Sequence, residues 1–173
     1  MKHDHSPTQL LISVGKPFAL AIMQQRQSVI PLARKGSVRP GVLWIHYNSR
    51  LDPAVPGHAP KDYTSRARVA TDLDDTIVGR VTITDVVRRE DCQLPFAVGP
   101  WNAIIHPEGV MWVRQQPDLD ERCEHLRPGS VLGLGLDDVW KLTHELESPE
   151  MRTRRLYRDG VAGPGASVDT AGD

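Results

Sequence analysis

The chain has 173 residues, 39% of them hydrophobic and 25% charged, with a formal net charge of −1. That composition describes one ordinary soluble domain able to bury about 70% of its unfolded surface, and it excludes a disordered chain. The near-neutral balance excludes broad coating of nucleic acid but leaves room for a local basic groove. The basic set is dominated by Arg, which pairs with phosphate through two parallel hydrogen bonds. Cys92 and Cys123 are isolated thiols with no Cys-x-x-Cys spacing, and reduced cysteines in a cytoplasmic protein are expected. "MKHDHSPTQ" has no apolar run, so no secretory leader is expected, and no stretch approaches the length of a membrane span. Scattered His and Cys predict no metal and no other cofactor.

Residues 1–9 are polar and predicted to form a flexible tail. "LLISV", 10–14, reads as a buried strand. Pro17 suits a first helical turn, and "FALAIMQQ" follows as about two turns of helix with Phe18, Ala21, Ile22 and Met23 inward. Pro31 forbids a continuing helix and makes "SVIPLA" an edge strand or loop. "GVLWIHYNS", 41–49, alternates cleanly. Val42, Trp44, His46 and Asn48 share one face and Leu43, Ile45 and Tyr47 the other, which predicts a strand covered on both sides with His46 and Asn48 at its open end.

"LDPAVPGHAP" reads as loop, 61–71 as a helix, and "TIVGRVTITDVV", 76–87, as an alternating strand. "GPWNA", 99–103, looks like a loop, while "GVMWVRQ", 109–115, and "SVLGLGL", 130–136, read as strands. Ser148 caps and Pro149 opens a short basic helix over 148–160, and the Gly-rich 161–173 is predicted to be disordered. Short strands with one early helix predict an α+β, mainly β fold over 10–147: a small, partly closed barrel with helices at its ends.

In order and in motif, this domain resembles the ASCH (activating signal cointegrator homology) domain, a PUA-like β-barrel. "KPFA", 16–19, stands where that family has Gln-Pro-Trp-Ala, with Lys16 for Gln and Phe18 for Trp. "WIHYNS", 44–49, "GPWNA" and "GVMWV", 109–113, follow in the family's order, and the likeness spans about 10–142. The family's Gly-x-Lys-x-x-Glu-x-Arg signature falls on "IMQQRQSVIPL", with Gln25 at the Gly, Gln27 at the Lys, Ile30 at the Glu and Leu32 at the Arg. A shift by one residue would put Arg26 at the Lys and still leave no acid.

Relatives include amidohydrolases of acetylated cytidine and proteins described as ribonucleases. Amide hydrolysis needs a titrating base or an activated nucleophile, and Gln27 and Ile30 supply neither. The resemblance therefore implies a binding module for single-stranded RNA or a modified nucleotide, without the family's hydrolysis. A hydrolase using relocated residues such as Lys16 with Thr84 or Glu108 is one alternative, and a scaffold for a protein partner is another.

The candidate binding residues are Lys16, Arg26, His46, Asn48, Trp101, Arg154 and Arg155. Lys16 and Arg26 would meet phosphate, or are solvated charges. His46 and Asn48 would bond a base edge, or are satisfied by neighbouring backbone. Trp101 and Trp112 would stack on bases or fill core, and the alternation of "VMWVR" favours core for Trp112. Arg152, Arg154, Arg155 and Arg158 form a broad helical stripe that would follow a phosphate backbone, or simply face solvent.

Overall fold

The structure, a computed structural model, describes residues 9–52, 72–119, 123 and 125–160. In chain order it contains β1 (Gln9–Lys16), α1 (Phe18–Met23), β2 (Val29–Leu32), a 3-10 turn (Lys35–Ser37) and β3 (Gly41–Leu51). Then come β4 (Thr76–Arg88), a 3-10 turn (Arg89–Asp91), β5 (Trp101–Ile105), β6 (Met111–Val113) and β7 (Val131–Leu134). The chain closes with α2 (Leu136–His144), β8 (Leu146–Glu147) and α3 (Pro149–Arg158). The N-terminal tail up to residue 8, most of the predicted 51–60 loop, the predicted helix over 61–71 and the 161–173 tail lie outside the described residues.

The strands form one mixed sheet in the order β2-β5-β4-β3-β1-β7, with β6 pairing β4 and β8. β1 and β3 run parallel, and the other ladders are antiparallel. A parallel pair needs a crossover. Here α1, β2 and the first 3-10 turn make it, so β2 is carried to the far edge beside β5. The fold is thus mainly β, as expected, but no ladder among the described residues joins β2 to β7. The strand path is open where a barrel would close.

β3 is covered on both faces, and each face belongs to a different core. Leu43, Ile45 and Tyr47 join Ile12, Val14, Phe18, Ile22, Val81, Ile83 and Trp112. On the other face Trp44 packs with Leu11, Ile77, Leu134 and Leu142 beneath α2. Burying side chains of this size stabilises by about 1.5–3 kcal/mol each. Trp44 is fully buried, and its Nε1–H donates to Gln9 Oε1 at 2.6 Å, which removes the cost of an unpaired indole.

α1 ends because Gln25 turns left-handed, with φ of 58°. It packs Phe18, Ala19, Ile22 and Met23 into the first core, and Ala21 is buried as well. Ser148 Oγ accepts from the Met151 N–H at 3.2 Å, and Pro149 opens α3, as the capping pattern predicts. α2 is absent from the sequence reading, which ran a strand to Leu136. The chain instead leaves β7 at Leu134 and enters a helix through Gly135. Trp101, read as loop, begins β5.

β4 passes so close to β6 that only glycine fits at position 79. A Cβ there would sit 2.1 Å from the Met111 carbonyl oxygen and 2.3 Å from Met23 Cε. Gly79→Ala is therefore expected to lose about 1–3 kcal/mol in urea unfolding. Gly36→Ala, whose Cβ would meet nothing within 4 Å, should unfold like the parent. Equal midpoints for the two variants would contradict this packing.

Candidate functional site

The alternation of β1 and β3 builds a buried polar row. Ser13 is paired with His46 and Gly15 with Asn48 across the parallel ladder, so Ser13, His46 and Asn48 share the face under α2. All three are at most 1% exposed. Asn48 Nδ2 donates to Ser13 Oγ at 3.0 Å and to the Leu126 carbonyl at 2.6 Å. Ser13 Oγ, already an acceptor, keeps its proton for His46 Nδ1 at 2.9 Å. That arrangement places the imidazole proton on Nε2, which has no hydrogen-bond partner among the described residues.

Burial holds the His46 pKa below its ordinary 6.5, opposed by the Asp75 charge and backbone. A hydroxyl on an imidazole is the pairing a nucleophile needs. Here it is sealed in the sheet, and Asn48 spends its amide on the protein itself rather than on a ligand.

Lys16 lies on the opposite face. It is 2% exposed, bonded to Asp74 Oδ2 at 2.9 Å, with Nζ 5.7 Å from the Tyr47 ring centroid. Arg26 is exposed beyond α1 and donates to Gln24 Oε1. Three of the four positions aligned with the signature of the resembled family are packed. Gln27, Ile30 and Leu32 are 3%, 1% and 4% exposed, and Gln27 Nε2 donates to the Val29 carbonyl at 2.8 Å. Lys16, Arg26 and the His46–Asn48 pair therefore do not converge on one cleft.

Trp101, partly buried against the first core, stands apart from Lys16, Arg26 and His46, at the rim beside the edge strand β2. Leu32, Trp101 and Arg88 are level across β2, β5 and β4. Gly99 makes that register possible, since a Cβ there would lie 2.7 Å from the Leu32 backbone nitrogen. Half-buried Trp101 has Lys35 Nζ at 5.1 Å and the Arg88 guanidinium at 5.5 Å from its ring centroid. Arg88 also pairs loosely with Glu90 at 3.6 Å, both side chains mostly exposed. Sequence reasoning found Trp101 through "GPWNA" and missed Lys35 and Arg88, which nothing local marks.

On the C-terminal helix, Arg155 is tied to Glu147 by bonds of 2.6 and 3.0 Å, and the hydrogen bond to that carboxylate raises its pKa. Arg152 lies 4.0 Å from the Trp112 ring centroid, and Trp112 is core. Arg154 stays exposed. Thr84 and Glu108 are exposed as well, Thr84 Oγ1 donating to the Ile104 carbonyl at 3.3 Å. Among the described residues there is no His, Cys, Asp or Glu cluster fit for a metal, and no helix long and apolar enough to cross a membrane.

No protein-family model matches the sequence, and no curated protein does. Among solved structures, ASCH from Zymomonas mobilis is similar at 13% identity and a TM-score of 0.49, over 81% of this chain and 96% of that one. Its tyrosine-to-phenylalanine variant gives 13% and 0.49, over 80% of this chain and 99% of that one. A serine-to-alanine variant gives 14% and 0.44, over 82% and 100%. These structures carry the family name that the sequence motifs resemble. Likeness at this level assigns no function.

The buried imidazole makes a pH prediction. Unfolded His46 binds a proton below its ordinary 6.5 while the folded site resists it, so stability is complete above that pH and falls as pH drops toward the lowered folded value. Denaturant midpoints measured from pH 7.5 to pH 5 should fall more steeply for the parent than for His46→Gln. Parallel pH profiles would show that His46 is not the group that titrates.

Proposed function

We propose that this chain is a binding module for single-stranded RNA or a nucleotide, with Trp101 as the stacking platform and Lys35 and Arg88 as phosphate contacts. The observation that carries this reading is the indole flanked by two cations within 6 Å at the rim. Cations at such distances from an exposed aromatic ring are held by about 0.5–1 kcal/mol. A base stacked on the same ring is worth about 1–3 kcal/mol. The base therefore wins the ring, and a displaced Lys35 would gain a phosphate.

Lys16, His46 and Asn48 are the scaffold in this reading, while exposed Arg26 and Arg154 add general positive potential. The reading is binding rather than turnover. The Ser13–His46 pair is buried, and Gln27, Ile30 and Leu32 are inert, buried side chains.

Fluorescence anisotropy with a labelled single-stranded RNA of about eight nucleotides tests it, at about 50 and 200 mM salt. Binding is expected at the lower salt. Trp101→Ala should weaken it by about 1–3 kcal/mol, and Lys35→Ala should reduce the salt slope by about 0.7. No binding at low salt, or full affinity in Trp101→Ala, would remove the reading.

A further inference from the structure

The open end of the sheet lies beside Trp101. Between β2 with the turn after it and β1 with β7 runs a groove of about 270 Å³, lined by Ile12, Pro31, Leu32, Arg34 and Val131 among others. Its volume falls just short of the ~300 Å³ at which pockets for drug-sized ligands begin, which suits a single nucleoside.

Pro31 limits what can enter. The Ile105 N–H donates to the Ser28 carbonyl, and hydrogen-bonded pairs alternate along an antiparallel ladder. Pro31, opposite Asn102, therefore falls at a non-bonded position, with its nitrogen turned to the free edge. It has no proton to offer there, so a peptide adding as a β-strand would lose a ladder bond. The groove instead offers apolar walls from Ile12, Leu32 and Val131 and a cation from Arg34. It is also one strand away from Trp101. Leu32 lines it and pairs with Trp101, and Lys35, next to Arg34 in the chain, approaches the indole.

We propose that this groove holds the nucleotide adjoining the one stacked on Trp101, with Arg34 bonding the phosphodiester between them. The ligand is then single-stranded nucleic acid of at least two nucleotides, not a mononucleotide. This rests on the reading of Trp101 as a stacking platform.

The test titrates the full chain with adenosine monophosphate and with oligoadenylates of increasing length. The dinucleotide should bind about tenfold tighter than the monophosphate. In Arg34→Ala, whose side chain is exposed, the ratio of those two affinities should fall toward one. A dinucleotide no tighter than the monophosphate, or an unchanged ratio in Arg34→Ala, overturns the groove assignment. So does an oligoglutamate that competes as well as oligoadenylate. Monophosphate binding that ignores Trp101→Ala instead overturns the underlying reading.

Discussion

β3 is buried on both faces, and that one constraint sorts the centre of the molecule. Because strand side chains alternate, Tyr47 and Lys16 go to one layer and His46, Asn48 and Ser13 to the other. A slip of one residue would exchange the layers, putting His46 among the apolar side chains of the first core, so register is strongly held. The unpartnered His46 Nε2 costs about 1–3 kcal/mol. The apolar burial of Leu43, Trp44 and Ile45 on the same strand exceeds that. The polar row is therefore tolerated as structure, and its spare donor, His46 Nε2, is buried out of a ligand's reach.

The apolar character of β2 has the same origin. β2 runs over the first core, and Ile30 and Leu32 point into it. A glutamate and an arginine at these positions would have to be buried, at a cost that only mutual pairing would reduce. Gln25 keeps the left-handed backbone at the place where the resemblance puts glycine, and its Nε2 donates to the Pro107 carbonyl at 3.1 Å. The turn is left-handed at Gln25, and Gln27, Ile30 and Leu32 after it serve packing.

What the sequence showed follows the range of the forces involved. Alternation is local, so β3, β4 and the inward face of α1 were readable. Strand order is not local, and the parallel β1–β3 pairing with β2 at the far edge appears in no periodicity. α2 was hidden because "SVLGLGL" reads smoothly as one strand into Leu136. Its signal was present in the charges, with Asp137 and Asp138 in the first turn and Lys141 and His144 in the last, as the helix dipole favours. At the site, the residue types of His46 and Asn48 were legible, but their exposure was set by the distant Leu126 carbonyl and by α2. Trp101 was legible for its own chemistry. Lys35 and Arg88 reach it only through the register of three strands.

The rim owes its character to the failure of the sheet to close. Were β2 and β7 paired, the groove between them would vanish and Trp101 would look out from a sealed wall. Pro31 makes the open edge tolerable, since an edge without its full set of donors recruits no stray strand. Gly99 then lets the following turn lie against Leu32, which fixes the indole beside that edge. Rigidity comes from the doubly covered centre, while Lys35 lies on a short 3-10 turn and Arg88 is the last residue of β4, both at element ends where local stability is lowest. Trp101 is thereby anchored in the sheet, while Lys35 and Arg88 reach its ring from less buried positions around it.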